Sequence, residues 1–211
     1  SDDWTPAMAA ATCLSLLSAT VQDAIMSDGT LLSFVQSNLS DLEDWRRREA
    51  AAMAFGSCLD GPDHQKMGQL VTTAMPMLIT LLTDHSVAVR DTAAWCIGEA
   101  CRSFVDTLSS HQATMAALQN ALLHGLSDRP RVAANCCWAV AHLVEQSADS
   151  GIVDPIFYGN VLQSLLHTAT ARPDGNEANL RTCAFQALAT VVSSAPISSL
   201  PLIQQMVTQF L

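Results

Sequence analysis

The sequence predicts an all-α protein, a solenoid of about ten helices stacked as antiparallel hairpins, and three observations lead there. The composition is 49% hydrophobic but only 5% aromatic, rich in Ala and Leu and poor in β-branched runs, which suits helices packed through small side chains. A turn carrying Asp recurs: Asp41, Asp84, Asp128 and Asp174 stand 43, 44 and 46 positions apart, the period of a helical-hairpin repeat. Around these turns the apolar spacing is three and four, as in Leu78, Leu81 and Leu82 before one turn and Leu118, Leu122 and Leu123 before the next.

Taken in order, helices are expected over 5–26, 28–39, 44–60, 65–83, 87–105, 111–126, 130–148, 154–171, 176–194 and 198–211. Gly and Pro punctuate them at Asp28-Gly29, Gly61-Pro62-Asp63, Arg129-Pro130, Gly151 to Pro155, Arg172 to Gly175, and Pro196. After each Asp turn an Arg opens an Ala-rich helix: "REAAAMAFGSCL", "RDTAAWCIGEAC", "RVAANCCWAVAHL" and "LRTCAFQALATVV". Small side chains there let neighbouring helices approach closely. The Asp and Arg flanking successive turns fall at one height in the stack, so hydrogen bonds from one unit to the next are expected. The chain reads as a single array of units: 1–26 (a second helix), 27–61, 62–107, 108–150, 151–195 and 196–211 (a first helix). It therefore reads as a segment of a longer array, with faces at both ends for further repeats to cover.

Twenty acidic residues against ten basic ones give a net charge of −10, which repels a phosphate backbone and attracts basic peptides or proteins. Nucleic acid is excluded as a partner on that ground. The cysteines, Cys13, Cys58, Cys96, Cys101, Cys136, Cys137 and Cys183, are odd in number, lie in apolar helical stretches and never form Cys-x-x-Cys, so they read as reduced packing residues of a cytosolic or nuclear protein. No run approaches the roughly 18–20 uninterrupted apolar residues of a membrane span, and no membrane partner is expected.

No phosphate-binding loop, His-Glu-x-x-His or Gly-x-Ser-x-Gly occurs, and the six His are scattered, so neither an enzyme nor a cofactor is expected. His142 and Glu145 are three apart on one helix but lack a third metal ligand, and the adjacent Cys136 and Cys137 point about 100° apart. The second helices carry a different pattern. Four residues after Glu49, Asp91 and Thr182 come Met53, Trp95 and Gln186 on the same helical face, and Asn135 with Trp138 makes a similar pair three apart. A face half apolar and half polar suits a groove in which indoles and carboxylates grip the stems and heads of Lys and Arg. The competing reading makes Trp95 and Trp138 filler between hairpins of a protein-assembly scaffold whose partners dock on the first helices.

The segments "DDWTP", "DWRRREAAAMAFGSCLDGPD", "AMPMLITLLTDHSVAVRDTAAWCIG", "RVAANCCWAVAHLVEQ" and "RPDGNEANLRTCAF" resemble the importin-β (karyopherin) family, with fungal members most similar. The resemblance runs along nearly the whole chain. It implies a right-handed α-solenoid of HEAT-type hairpins, here roughly the eighth to the thirteenth repeat of a longer superhelix. It also implies a non-enzymatic nuclear import receptor of cytoplasm, nucleus and nuclear pore that binds the basic segment of importin-α, or basic cargo, on its inner helices. Carried over position by position, the binding array falls on Trp4, Glu49, Asp91, Trp95, Asn135 and Trp138. Asp2 and Asp3 resemble the end of an acidic loop that touches Ran-GTP and basic cargo. Trp45 also matches, but its place at the turn favours packing. Contacts with Ran-GTP and with phenylalanine-glycine nucleoporins are expected mostly through repeats outside this chain.

Overall fold

The computed structural model describes residues 5–148, 153–195 and 199–204. Among them lie nine α-helices: α1 (Pro6–Val21), α2 (Thr30–Leu39), α3 (Trp45–Ser57), α4 (His64–Leu81), α5 (Val87–Ser109), α6 (Gln112–Gly125), α7 (Pro130–Gln146), α8 (Pro155–Thr170) and α9 (Leu180–Ser193). Residues 200–204 are also helical, and the described residues contain no strand. The fold class expected from the repeat period is the one observed.

Local chemistry sets the helix starts. Asp44, Asp63 and Asp154 cap α3, α4 and α8, their carboxylates accepting from the amides of Arg46 (2.9 Å), Lys66 (3.0 Å) and Ile156 (2.7 Å). Pro6, Pro130 and Pro155 occupy first-turn positions where no amide donor is needed. Three boundaries differ from expectation. The first helix ends at Val21, because Gln22 adopts φ +52° and the chain continues as a 3-10 turn. The ninth begins at Leu180, because Ala178 and Asn179 are left-handed (φ +49° and +56°). α5 runs on to Ser109, bent where Phe104 leaves helical geometry (φ −130°).

The chain forms two compact units divided between Ala100 and Cys101, inside α5. In the first, α3 packs on both α1 and α2. In the second, the first helices α6 and α8 pack together, the second helices α7 and α9 do likewise, and α8 lies against α9. This is a two-layer stack of hairpins, and Tyr158 ties its layers: the buried phenol donates to the Val191 carbonyl (2.8 Å). Burial pushes its pKa up to about 12.

The Asp turns hold the repeats in register. Asp41 accepts from the amides of Glu43 and Asp44 (both 2.9 Å), and Asp84 accepts from that of Ser86 (2.8 Å), folding each turn back on itself. Arg48 then joins two turns: it donates to the Asp41 carbonyl (2.6 Å) and bidentately to the Asp84 carboxylate, Nε–Oδ2 at 2.7 Å and Nη2–Oδ1 at 3.0 Å. Arg90 repeats the first of these bonds on the Asp84 carbonyl (2.8 Å). In the second unit the direction reverses, with Arg172 reaching back to the carbonyls of Leu126 (2.8 Å) and Asp128 while pairing with Asp174.

The cysteines are free; Cys58, Cys96, Cys101, Cys136 and Cys137 are buried and Cys183 half-buried, whereas Cys13 is exposed and is not the packing residue expected. Burial pushes the thiols of Cys101 and Cys137 up to about 12, suppressing the reactive thiolate.

Residues 6–26 are long and apolar enough, by length and mean hydropathy (1.3), to cross a membrane, with 6% of the window buried. The stretch is not an uninterrupted apolar run because Ser and Thr punctuate it, and it is tied to the turn after α3 by polar contacts. Ser18 donates to the Asp60 carbonyl (2.8 Å), and Asp23 accepts from the amide of Asp63 (2.7 Å) and pairs with Lys66 (2.5 Å). On its outer side Leu16 (65%) and Leu17 (51%) remain exposed.

Candidate peptide-binding face

Each candidate residue that the structure describes sits on a second helix. In the first unit α3 carries Glu49 and Met53, both half-buried, and α5 carries Asp91 and Trp95. Asp91 is buried, 9% exposed, while Trp95 is half-buried. The benzo edge of the Trp95 ring lies against the backbone of Gly56 in α3, which keeps the indole neither in the core nor free in solvent. In the second unit α7 presents Asn135 and Trp138, both half-buried. Glu49, Asp91 and Asn135 are each held by an interaction within the molecule. Asp2, Asp3 and Trp4 lie outside the described residues.

Trp138 is braced from its own helix. His142, one turn on, meets it edge to face, with ring centroids 4.8 Å apart and planes at 88°. Nδ1 of His142 stands 3.6 Å from Oε2 of Glu145, too far for a hydrogen bond. The two side chains face each other without a hydrogen bond, and among the described residues no group of three or more His, Cys, Asp or Glu could hold a metal ion.

Two residues add to the sequence reading. Trp45 opens α3 half-buried rather than packed away, with the Arg46 guanidinium 4.8 Å above its ring, a cation–π contact made within the chain. Phe185 on α9 is 50% exposed beside Thr182 and Gln186, which are exposed too. The spacing argument singled out Gln186 and passed over Phe185, four residues after Arg181, because it matched units on the fifth residue after Arg.

The first helices hold a different feature. Leu32, Val35, Leu39, Leu70 and Met77 of α2 and α4, floored by Phe55 of α3, enclose an apolar recess of about 170 Å³. A wider recess of about 640 Å³ opens at the α8–α9 turn near His167 and Arg172, but the Arg172 guanidinium there is taken up by Leu126, Asp128 and Asp174.

The chain is similar in sequence and fold to known proteins. Residues 45–100 match the family model of HEAT-like repeats, and residues 117–211 match the one described as importin subunit beta-1-like, TPR repeats. Importin subunit beta-1 of Schizosaccharomyces pombe is 41% identical over 207 residues, 96% of this chain and 23% of the relative. That of Saccharomyces cerevisiae is 40% identical over 92% of this chain and 22% of its own length. The chain thus spans about a quarter of the length of the curated relatives it matches. Among solved structures, Kap95p with RanGDP superposes at TM-score 0.85 and 38% identity, covering 95% of this chain and 23% of that one. The Kap95:Nup1 complex gives TM-score 0.85 and 38% identity, covering 93% and 22%. With its repeat turns, its helix order and its sequence all matching along nearly its whole length, the chain belongs to the importin-β family of HEAT-repeat proteins.

Proposed function

We propose that this chain is part of a nuclear transport receptor, and that its second-helix faces bind basic import signals, chiefly the importin-β-binding segment of importin-α. The observation that carries the reading is a half-buried indole within one helical turn of an acid or amide in each unit, Trp95 after Asp91 and Trp138 after Asn135, in a chain of net charge −10. A half-buried ring offers a face to an aliphatic stem, and the carboxylates of Glu49 and Asp91 and the acidic field favour its cationic head. Asp2, Asp3 and Trp4 extend the same site. Two known complexes support Ran and a nucleoporin as further partners of the whole receptor, since Kap95p is described with RanGDP and with Nup1. Such a receptor works between cytoplasm and nucleus at the nuclear pore, and it needs no catalytic group. Its HEAT units follow the boundaries 1–26, 27–61, 62–107, 108–150, 151–195 and 196–211, within the eighth to thirteenth repeats.

Fluorescence titration with a Lys- and Arg-rich peptide tests this. Saturable binding that weakens with salt is expected, and Trp95→Ala and Trp138→Ala should each weaken it about tenfold, near 1.4 kcal/mol. Insensitivity to both substitutions would sink the assignment.

A second reading is favoured by the apolar recess between α2 and α4: a scaffold whose partners seat an apolar side chain on the first helices. On that reading the two Trp substitutions lower the melting temperature and leave peptide binding unchanged.

A further inference from the structure

We propose that Gly56 is a positioning residue for the Trp95 indole, setting it as a fixed platform on the second-helix face; the inference rests on the reading of that face as a basic-peptide site. Gly56 is buried in the last turn of α3, directly after the run Ala50-Ala51-Ala52-Met53-Ala54-Phe55. Glycine costs less in the last turn of a helix than in its interior, so sterics and not helix propensity account for its place here. The cause is on the neighbouring helix. A Cβ placed on Gly56 would lie 2.6 Å from Cζ3 and 3.1 Å from Cη2 of Trp95, and 3.2 Å from Sγ of Cys96.

Those two ring carbons form the far end of the benzo ring. The missing methyl therefore makes a notch in α3 that receives the deep edge of the indole and leaves its opposite, pyrrole end outside the notch. Cys96, fully buried, closes the notch on one side, so the ring has one seat. A ring held in one seat loses little freedom when a Lys or Arg stem lies on it, which is how preorganisation raises affinity. Because the obstacles in Gly56→Ala are side chains and not backbone, and the closest is the ring, the added methyl displaces the indole while the alanine itself favours the helix.

A double-substitution cycle on the full chain tests this, with Gly56→Ala, Trp95→Ala and both together titrated with the same Lys- and Arg-rich peptide. Gly56→Ala alone is expected to weaken binding at least fivefold. Added to Trp95→Ala it should leave affinity unchanged and should not lower the melting temperature, since the space it fills has been vacated. In a chain with Trp4, Trp45 and Trp138 replaced by Phe, Gly56→Ala should shift the Trp95 emission to the red. If Gly56→Ala is too unstable to titrate, recovery of its melting temperature in the Trp95→Ala background gives the same coupling. Equal weakening by Gly56→Ala with and without Trp95, or unchanged emission, overturns the proposal. A wild-type chain that binds no basic peptide while the emission still shifts overturns the reading of the face and leaves the indole seat standing.

Discussion

Asp84→Ala is expected to destabilise the first unit by about 3–5 kcal/mol, the range for removing one partner of a buried ion pair. Both side chains of the Arg48–Asp84 pair are only 7% exposed, and their contact is bidentate. The substitution leaves the buried guanidinium with its bond to the Asp41 carbonyl, a 3.5 Å contact to His85 Nδ1 and only the charges of Asp41 and Asp44 to compensate it, and it removes the acceptor that folds the Ser86 turn. Urea denaturation monitored by circular dichroism measures the loss; a midpoint equivalent to less than 1 kcal/mol would contradict it. The same pair dictates an acid response. Burial by itself would raise the pKa of Asp84, but the Arg48 hydrogen bonds, the Ser86 amide and the Arg48 charge outweigh it and hold the carboxyl below its usual value. A depressed folded pKa means the stabilisation is present above the ordinary carboxylate range, about pH 4, and drains away as pH falls through the lowered value. The melting temperature should therefore drop more steeply below about pH 4 in the wild type than in Asp84→Ala.

Gly61→Ala has the second largest expected effect, a loss of at least about 2 kcal/mol, because a side chain at such a backbone conformation costs on the order of 1–3 kcal/mol before any clash. Gly61 adopts φ +117°, and a Cβ there would meet the carbonyl of Ser18 and lie 2.9 Å from Cα of Ala19. These are backbone atoms of α1, which cannot swing aside as a ring can. The strain also pulls on the bonds from Ser18 Oγ to the carbonyls of Asp60 (2.8 Å) and Cys58 (3.3 Å), which tie α1 to the turn after α3. Hydrogen exchange should show the amides of α1 losing protection first. If α1 keeps wild-type protection and the melting temperature moves by less than a degree, the account of this turn is wrong.

Particular residues show how much was legible in advance. The period of Asp41, Asp84, Asp128 and Asp174 announced hairpin repeats, whereas the structure supplied the helix caps at Asp44, Asp63 and Asp154, which the repeat spacing does not single out. Gln22, Ala178 and Asn179 were hidden: no sequence rule marks a left-handed Gln or Ala, and their conformations arise from how the chain must turn to dock the next element. Trp45 was read as packing from its place at the turn, and it is half-buried with the Arg46 guanidinium stacked on its ring.

The candidate face divides in the same way. That Glu49, Asp91, Trp95, Asn135 and Trp138 share second helices follows from spacing alone, since residues three and four apart lie on one side of a helix. How deeply each sits does not follow, because depth depends on what the adjacent helix offers. Asp91 is nearly closed off, Trp95 rests in a notch made by a glycine 39 positions earlier, and Trp138 is braced by His142. By itself the sequence determined the helices, their pairing into repeats and the family, because periodicity and caps are short-range. Only the tertiary structure decided that Arg48 takes Asp84 as its partner and that two indoles stop halfway between core and solvent, because those outcomes depend on the distance between packed helices.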